Sequence, residues 1–268
     1  MITPLDRVPT PPDWDRHLQD LDIARVWEWI SPKALFSMHL GFRGNFEEAL
    51  LRKDPKAVHL KERVATIQQE ILSQPDLMRP KAVWQFFKCR SEKDRVFLFE
   101  KDAIQLLTEF LFPRQLDREQ LCIADYFNKT KMDVIGMFVV TAGAGVSTLS
   151  RQWQEQRRFS DLYILHSLAL QTVEAAAELL HAQLRQSLGI LDSPTLSRND
   201  ILDGAYTGKR FSFGYSACPN LSDQCKLFDL LQPAQIGVSL SHLYMMAPEA
   251  AVSALVIHHP QASYFSVL

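Results

Sequence analysis

The chain is expected to fold as an α+β protein with a twisted, largely antiparallel sheet packed by helices, and three observations predict this. Short aromatic and β-branched runs at 82–87, 95–99 and 120–124 read as strands. Stretches at 55–72 and 161–189 carry apolar residues at steps of three and four, the spacing of one helix face. The two kinds of segment mix without a regular strand–helix–strand alternation, which argues against a parallel sheet.

Taken in order, the proline-rich stretch 4–12 reads as an extended lead-in. A short helix is expected at 22–29. Ser31-Pro32 then starts a second, with proline at its first position, running through Ala34, Leu35, Phe36 and Met38. Residues 55–72 place Val58, Val64, Ile67 and Ile71 on one stripe, and Pro75 and Pro80 close the helix. Residues 1–80 thus form an extended and helical N-terminal arm, and 81–268 the core of the domain. Within that core, 133–141 is almost continuously apolar, as a central strand buried on both faces must be. A helix follows at 146–158, with Ser147 as its N-cap after a glycine turn. The longest helix, 161–189, has Leu165, Ala169, Val173, Ala176, Leu180 and Leu184 on its apolar stripe and Gly189 at its end. Ser222 caps a helix over 223–231, and strands at 237–240 and 252–258 end the chain.

Composition narrows the function. The 268 residues are 47% hydrophobic with a formal net charge of -2 and no basic stripe, so nucleic acid is not expected as a partner. No apolar run approaches the ~18 residues needed to span a membrane, and the N-terminus lacks the apolar core of a signal peptide. A cytoplasmic protein is the expectation. Cys89, Cys122, Cys218 and Cys225 form no C-x-x-C pair and read as small buried thiols. There is no Gly-x-Ser-x-Gly, and Ala142-Gly143-Ala144-Gly145 lacks both the lysine of a phosphate loop and the third glycine of a dinucleotide fingerprint. His258 and His259 are adjacent on a strand and point to opposite faces, so they do not share a metal. Glu174 and Glu178 lie one helical turn apart and suit either a cation cradle or a solvated face.

The most informative stretch is Arg-Phe-Ser-Phe-Gly-Tyr-Ser-Ala-Cys-Pro over 210–219. Glycine admits close backbone approach to a ligand, and aromatics with one arginine suit a flat ring joined to a carboxylate. This run resembles the Arg-x-x-x-Gly-Tyr-x-Ala-Cys-Pro loop of the activation domain of cobalamin-dependent methionine synthase. Thr-Val-Glu-Ala-Ala-Ala-Glu-Leu-Leu-His over 172–181 is similar to that family's central helix. Segments 80–83, 121–127, 133–141, 237–240, 253–260 and 264–265 extend the likeness along the chain from about residue 9.

The resemblance implies a C-shaped α+β domain that binds S-adenosylmethionine. In that family the domain reactivates cobalamin oxidised during turnover: a flavodoxin-like reductant supplies an electron and S-adenosylmethionine the methyl group. The cobalamin is held by a cobalamin-binding domain or subunit of methionine synthase, the expected partner. Reduced cobalt being the nucleophile, the chain is expected to supply positioning and no acid, base or metal. Carried over by residue, Arg210 pairs with the methionine carboxylate, Ser212 and Gly214 present backbone groups, and Ala217 belongs to the same binding loop. Tyr215 stands between the ligand and the corrin, while Glu174 and Tyr264 contact the ligand.

Three positions depart from the family's pattern. An aspartate falls at Ser31, with Glu28 close by; an acidic residue falls at Gly204, with Asp203 adjacent; and Ser216 replaces a proline. Glu28 and Asp203 are therefore the candidate substitutes for the two carboxylates. The Asp-x-His-x-x-Gly cobalamin motif, the zinc-cysteine site and the folate barrel of methionine synthase are absent from this chain. It is expected to be a methyltransferase component unable to make methionine alone, with Met1 and the arm favouring a separate polypeptide over an excised domain. The alternative is a diverged module that docks on a cobalamin protein without methyl transfer.

Overall fold

A computed structural model describes every residue except Met1, Pro4, Pro75, Asp117, Arg118 and Leu268. The start of the proline-rich stretch at Pro4 and the helix stop expected at Pro75 therefore lie outside the described residues. The centre of the molecule is β5 (Asp133–Thr141), all nine of whose residues are buried. It is flanked by β2 (Lys81–Glu92) and β9 (Ala251–Ile257), both antiparallel to it. Outward from β2 come β3 (Arg95–Phe99) and β4 (Leu106–Leu111), with β1 (His17–Asp20) paired to the first residues of β2. Outward from β9 comes β6 (Lys209–Phe211). Every pairing in this sheet is antiparallel, as expected for the α+β class. β7 (Ser239–Leu240) and β8 (Met246–Ala247) form a separate ribbon.

Because side chains alternate along a strand, β5 feeds two cores. Val134, Phe138 and Val140 enter one, where they meet α5 (Phe159–Ser187) through Leu165, Leu168, Ala169, Val173 and Ala176. Ile135, Met137 and Val139 enter the other, with Leu227 and Leu231 of α7 (Gln224–Leu231) and the loop residues Phe213 and Ala217. Covering both faces is what turns β5 into a continuous apolar run. α4 (Gly145–Glu155) packs beside α5.

The helices that precede β2 pack on the α5 side of the sheet, whereas Ile2 joins the opposite core. α1 (Ile23–Trp27) is capped by Asp22, whose carboxylate accepts from Ala24 N at 2.9 Å. A wide π-type turn at Lys33–His39 follows, with Ser31 Oγ accepting from Ala34 N. After α2 (Phe46–Leu51), α3 (Pro55–Leu72) starts with Pro55 at its first position behind an Asp54 cap. Val26, Ile30, Leu35, Val64, Ile67 and Ile71 join the same core as Phe138. Arg158 binds Glu70 through two bonds of 2.9 Å, fastening α3 to the start of α5.

One expected strand is absent. Residues 120–124 enter a 3₁₀ turn (Ile123–Tyr126) in place of a ladder. Asp125 accepts from Cys122 N at 3.1 Å and is itself gripped by Arg114 at 2.6 and 2.9 Å. That side-chain capping satisfies backbone groups a strand would have offered a neighbour. Four short strands, β1, β4, β6 and β8, were not foreseen. The helix expected from 223 begins at Gln224 after a 3₁₀ turn, and Asn220, not Ser222, is the capping side chain there.

Candidate functional site

The site lies where β6, the loop after it and the middle of α5 converge. β6 is an edge strand whose Arg210 sits opposite Val256 of β9. The following loop is anchored by Phe213, Ala217 and Cys218, all buried. Its ends are tied by Gly214 N to Cys218 O at 2.9 Å and by the Cys218 thiol to Ser212 O at 2.9 Å. Burial, with some help from Asp223, pushes that thiol up to about 12, so it stays a neutral donor. Gly214 has φ +86°, the left-handed region that the turn requires. The consequence is that Tyr215 is held outward, 67% exposed.

Beneath the loop, α5 presents Glu174 and Glu178 one turn apart, and Arg210 reaches both. Its Nε donates to Glu178 Oε1 at 2.8 Å and its Nη2 to Glu174 Oε2 at 2.9 Å. Burial works against the guanidinium charge, but the facing Glu178 and Glu174 more than offset it and raise the pKa. The two carboxylates are not equivalent. Glu178 is 16% exposed, and its Oε2 accepts from the Tyr206 hydroxyl at 2.9 Å; Glu174 is 40% exposed. Burial first, then the Glu178 charge, pushes the Tyr206 phenol up, which keeps it a neutral donor.

Beside this network is a cavity of about 330 Å³. Glu174, Arg210, Ser212, Tyr215, Ala217 and Tyr264 all line it, so six of the expected site residues come together. Phe211, Phe265, Ser216 and Cys218 complete the wall. An adjoining cavity of about 360 Å³ shares Glu174, Ser212 and Tyr215 and extends to His39, Gln171 and Met246.

The remaining candidates lie elsewhere. Gly214 shapes the loop without lining either cavity. Glu28 is exposed and lines a separate cavity with Trp29 and Arg198, whose guanidinium bonds the Glu28 carbonyl. Asp203 is exposed at the C-terminal cap of α6 (Arg198–Leu202). A Cβ on Gly204 would stand 3.7 Å from the Tyr264 ring. Glu178 and Tyr206 were not among the expected site residues; the only sequence signal was the one-turn spacing of Glu178 from Glu174. His258 and His259 diverge: His258 Nε2 pairs with buried Asp133 at 2.6 Å, His259 Nε2 with the Thr3 carbonyl at 2.9 Å. Among the described residues no helix is long and apolar enough to cross a membrane.

The chain is similar to known proteins over nearly its whole length. The family described as vitamin B12 dependent methionine synthase, activation domain, matches residues 22–268. The chain is 32% identical over 285 residues to the methionine synthase of Mycobacterium leprae and 31% identical over 277 residues to that of Mycobacterium tuberculosis. Each alignment covers 97% of this chain but 23% of the relative, so the chain spans about a quarter of the length of the curated relatives it matches. The crystal structure of the MetH reactivation domain bound to AdoHcy superposes with a TM-score of 0.88 at 23% identity, covering 97% of this chain and 83% of that one. A match over nearly the whole length, on the same α+β fold, makes this chain a member of the activation-domain family of vitamin B12 dependent methionine synthase.

Proposed function

We propose that the chain binds S-adenosylmethionine in the cavity beside Arg210 and presents its methyl group to reduced cobalamin held by a partner domain or protein, reactivating a methionine synthase. The observation that carries this reading is the state of Arg210. Its charge is held by two carboxylates, yet among the described residues its Nη1 makes no hydrogen bond, at the edge of a cavity of about 330 Å³. That volume falls in the range of small-molecule sites, roughly 300–1,000 Å³. The residues suit an amino acid joined to a nucleoside: an arginine edge for the carboxylate, the exposed carboxylate of Glu174 for a positive ammonium or sulfonium, and Tyr264 and Phe265 as apolar wall.

When bound, the sulfonium would supply the methyl group. The chain's own contribution is orientation: Arg210 fixes the amino-acid end, Glu174 places negative charge beside the cation, and the loop from Ser212 to Ala217 offers backbone groups. Tyr215, projecting from the loop, is the ring placed to meet a partner's corrin face. The bound AdoHcy of the structural neighbour and the full-length methionine synthases among the relatives support the reading. A flavodoxin-like protein is the reductant that this reading calls for, and the chain acts as a methyltransferase component in company with the cobalamin protein.

Calorimetric titration of the chain with S-adenosylmethionine tests it. Arg210→Ala should weaken binding by at least about tenfold, since a charge-assisted pair contributes roughly 1.5–3 kcal/mol. A wild type that gives no binding heat at millimolar ligand, and no shift in melting temperature, would refute the proposal.

A further inference from the structure

We infer that Tyr206 is a positioning residue of the Arg210 site: by occupying the second oxygen of Glu178 it holds that carboxylate end-on against Nε, leaving the Nη edge of the guanidinium for the carboxylate of a ligand. The inference rests on the reading of the cavity just given and assigns a role to a residue outside its lining.

A carboxylate beside an arginine normally takes two of its N–H groups in a fork. Glu178 takes one, because Oε1 accepts from Arg210 Nε at 2.8 Å while Oε2 accepts from the Tyr206 hydroxyl at 2.9 Å. Both oxygens are then satisfied in a site that leaves the side chain 16% exposed. Glu174, by contrast, holds Nη2 through one oxygen and is 40% exposed, so it is the partner that can yield to a ligand. Without the phenol, Glu178 Oε2 would be a sheltered oxygen with no donor, and the adjacent Nη2 is the donor within reach. Glu178 would close a fork on Nε and Nη2, and a ligand carboxylate would lose half of its own.

Tyr206 cannot swing away from this duty. Its ring is buried, with the Arg185 guanidinium 4.1 Å and Lys209 Nζ 4.9 Å from the centroid and the His181 ring edge-on at 5.1 Å. Gly208, two residues on, has φ +77° and lies so close to β9 that a Cβ there would stand 2.8 Å from the Ile257 carbonyl.

Tyr206→Phe keeps the ring and removes only the hydroxyl. Two probes are titrated into the full chain: AdoHcy, which carries the amino-acid carboxylate, and methylthioadenosine, the same nucleoside thioether without it. The expected result is an AdoHcy affinity lowered about tenfold, the worth of one hydrogen bond to a charged group, with methylthioadenosine changed by less than about twofold. Combining Tyr206→Phe with Glu178→Gln, which removes the carboxylate that would trap Arg210, should bring AdoHcy affinity back to that of Glu178→Gln alone. Equal weakening of both probes, or of neither, overturns the inference. In the ligand-free protein the Arg210 Nε–H resonance should move in Tyr206→Phe, and an unmoved resonance also overturns it. A wild type that binds neither probe sinks the reading of the cavity, and the resonance then decides the role of Tyr206 alone.

Discussion

His181 offers a direct test of how the interior of this domain is built. It lies on α5 one turn beyond Glu178 toward the C-terminus, is fully buried, and among the described residues neither ring nitrogen has a hydrogen-bond partner. Burial, reinforced by the charges of Arg185, Arg210 and Lys209, holds its pKa well below the ordinary 6.5. The folded protein therefore keeps it neutral, whereas the unfolded chain takes up a proton as pH falls through about 6.5. The stability this provides is fully present above pH 6.5 and is lost as pH falls toward the folded value. Each unit of that fall should cost about 1.4 kcal/mol, or roughly 2 kcal/mol between pH 6.5 and 5. His181→Met fills a similar volume without a titrating group and also removes two unsatisfied nitrogens, each a penalty of about 1–3 kcal/mol at most. Urea unfolding of both proteins at pH 8, 7, 6 and 5 separates these effects. The variant should match or exceed the wild type in acid, and the difference between them should widen by one proton's slope below pH 6.5. Other titrating groups, such as His259, which burial also holds low, cancel in that difference. Parallel profiles for the two proteins would show that His181 is protonated in the fold, and the argument would fail.

Phe138→Ala removes a ring with no exposed surface from the layer between β5 and α5 and should cost about 3–5 kcal/mol in urea unfolding at an unchanged denaturant slope. Gly208→Ala adds a Cβ against the Ile257 carbonyl at a φ of +77°; it should lower stability by more than about 1 kcal/mol, and calorimetry should show weaker AdoHcy binding because the turn leads directly into Arg210.

The sheet and the long helices were readable because periodicity records one-sided or two-sided burial. The unbroken apolar run of β5 reflects cores on both faces, and the stripe on α5 reflects the sheet beneath it. The edges were less readable. β6 is three residues long, and Lys209 and Arg210 in it give no strand signal, because their side chains serve Tyr206, Glu174 and Glu178 as well as the sheet. At 120–124 the apolar residues suggested a strand, but the decisive groups were Asp125 and Arg114, whose capping bonds have no periodic signature.

The cavity's wall was mostly legible as a motif, yet its electrostatics were not, and the reason is chain separation. Arg210 stands 32 residues from Glu178 and 36 from Glu174, and only the tertiary fold, which seats β6 on β9 within side-chain reach of α5, brings them within hydrogen-bond distance. The same separation explains why Glu174 and Glu178 could not be told from a solvated pair on spacing alone. α5 must bury apolar residues on the sheet and keep charge on its neighbouring flank, so one helix both completes the core and builds the site. Small side chains make the two demands compatible: Ala175, Ala176 and Ala177 are all buried, which lets the helix lie close to its neighbours while Glu174 and Glu178 on either side reach Arg210. Enlarging that alanine run would push the helix off its neighbours and open the Arg210 pairs, so packing and ligand geometry are set by the same contacts.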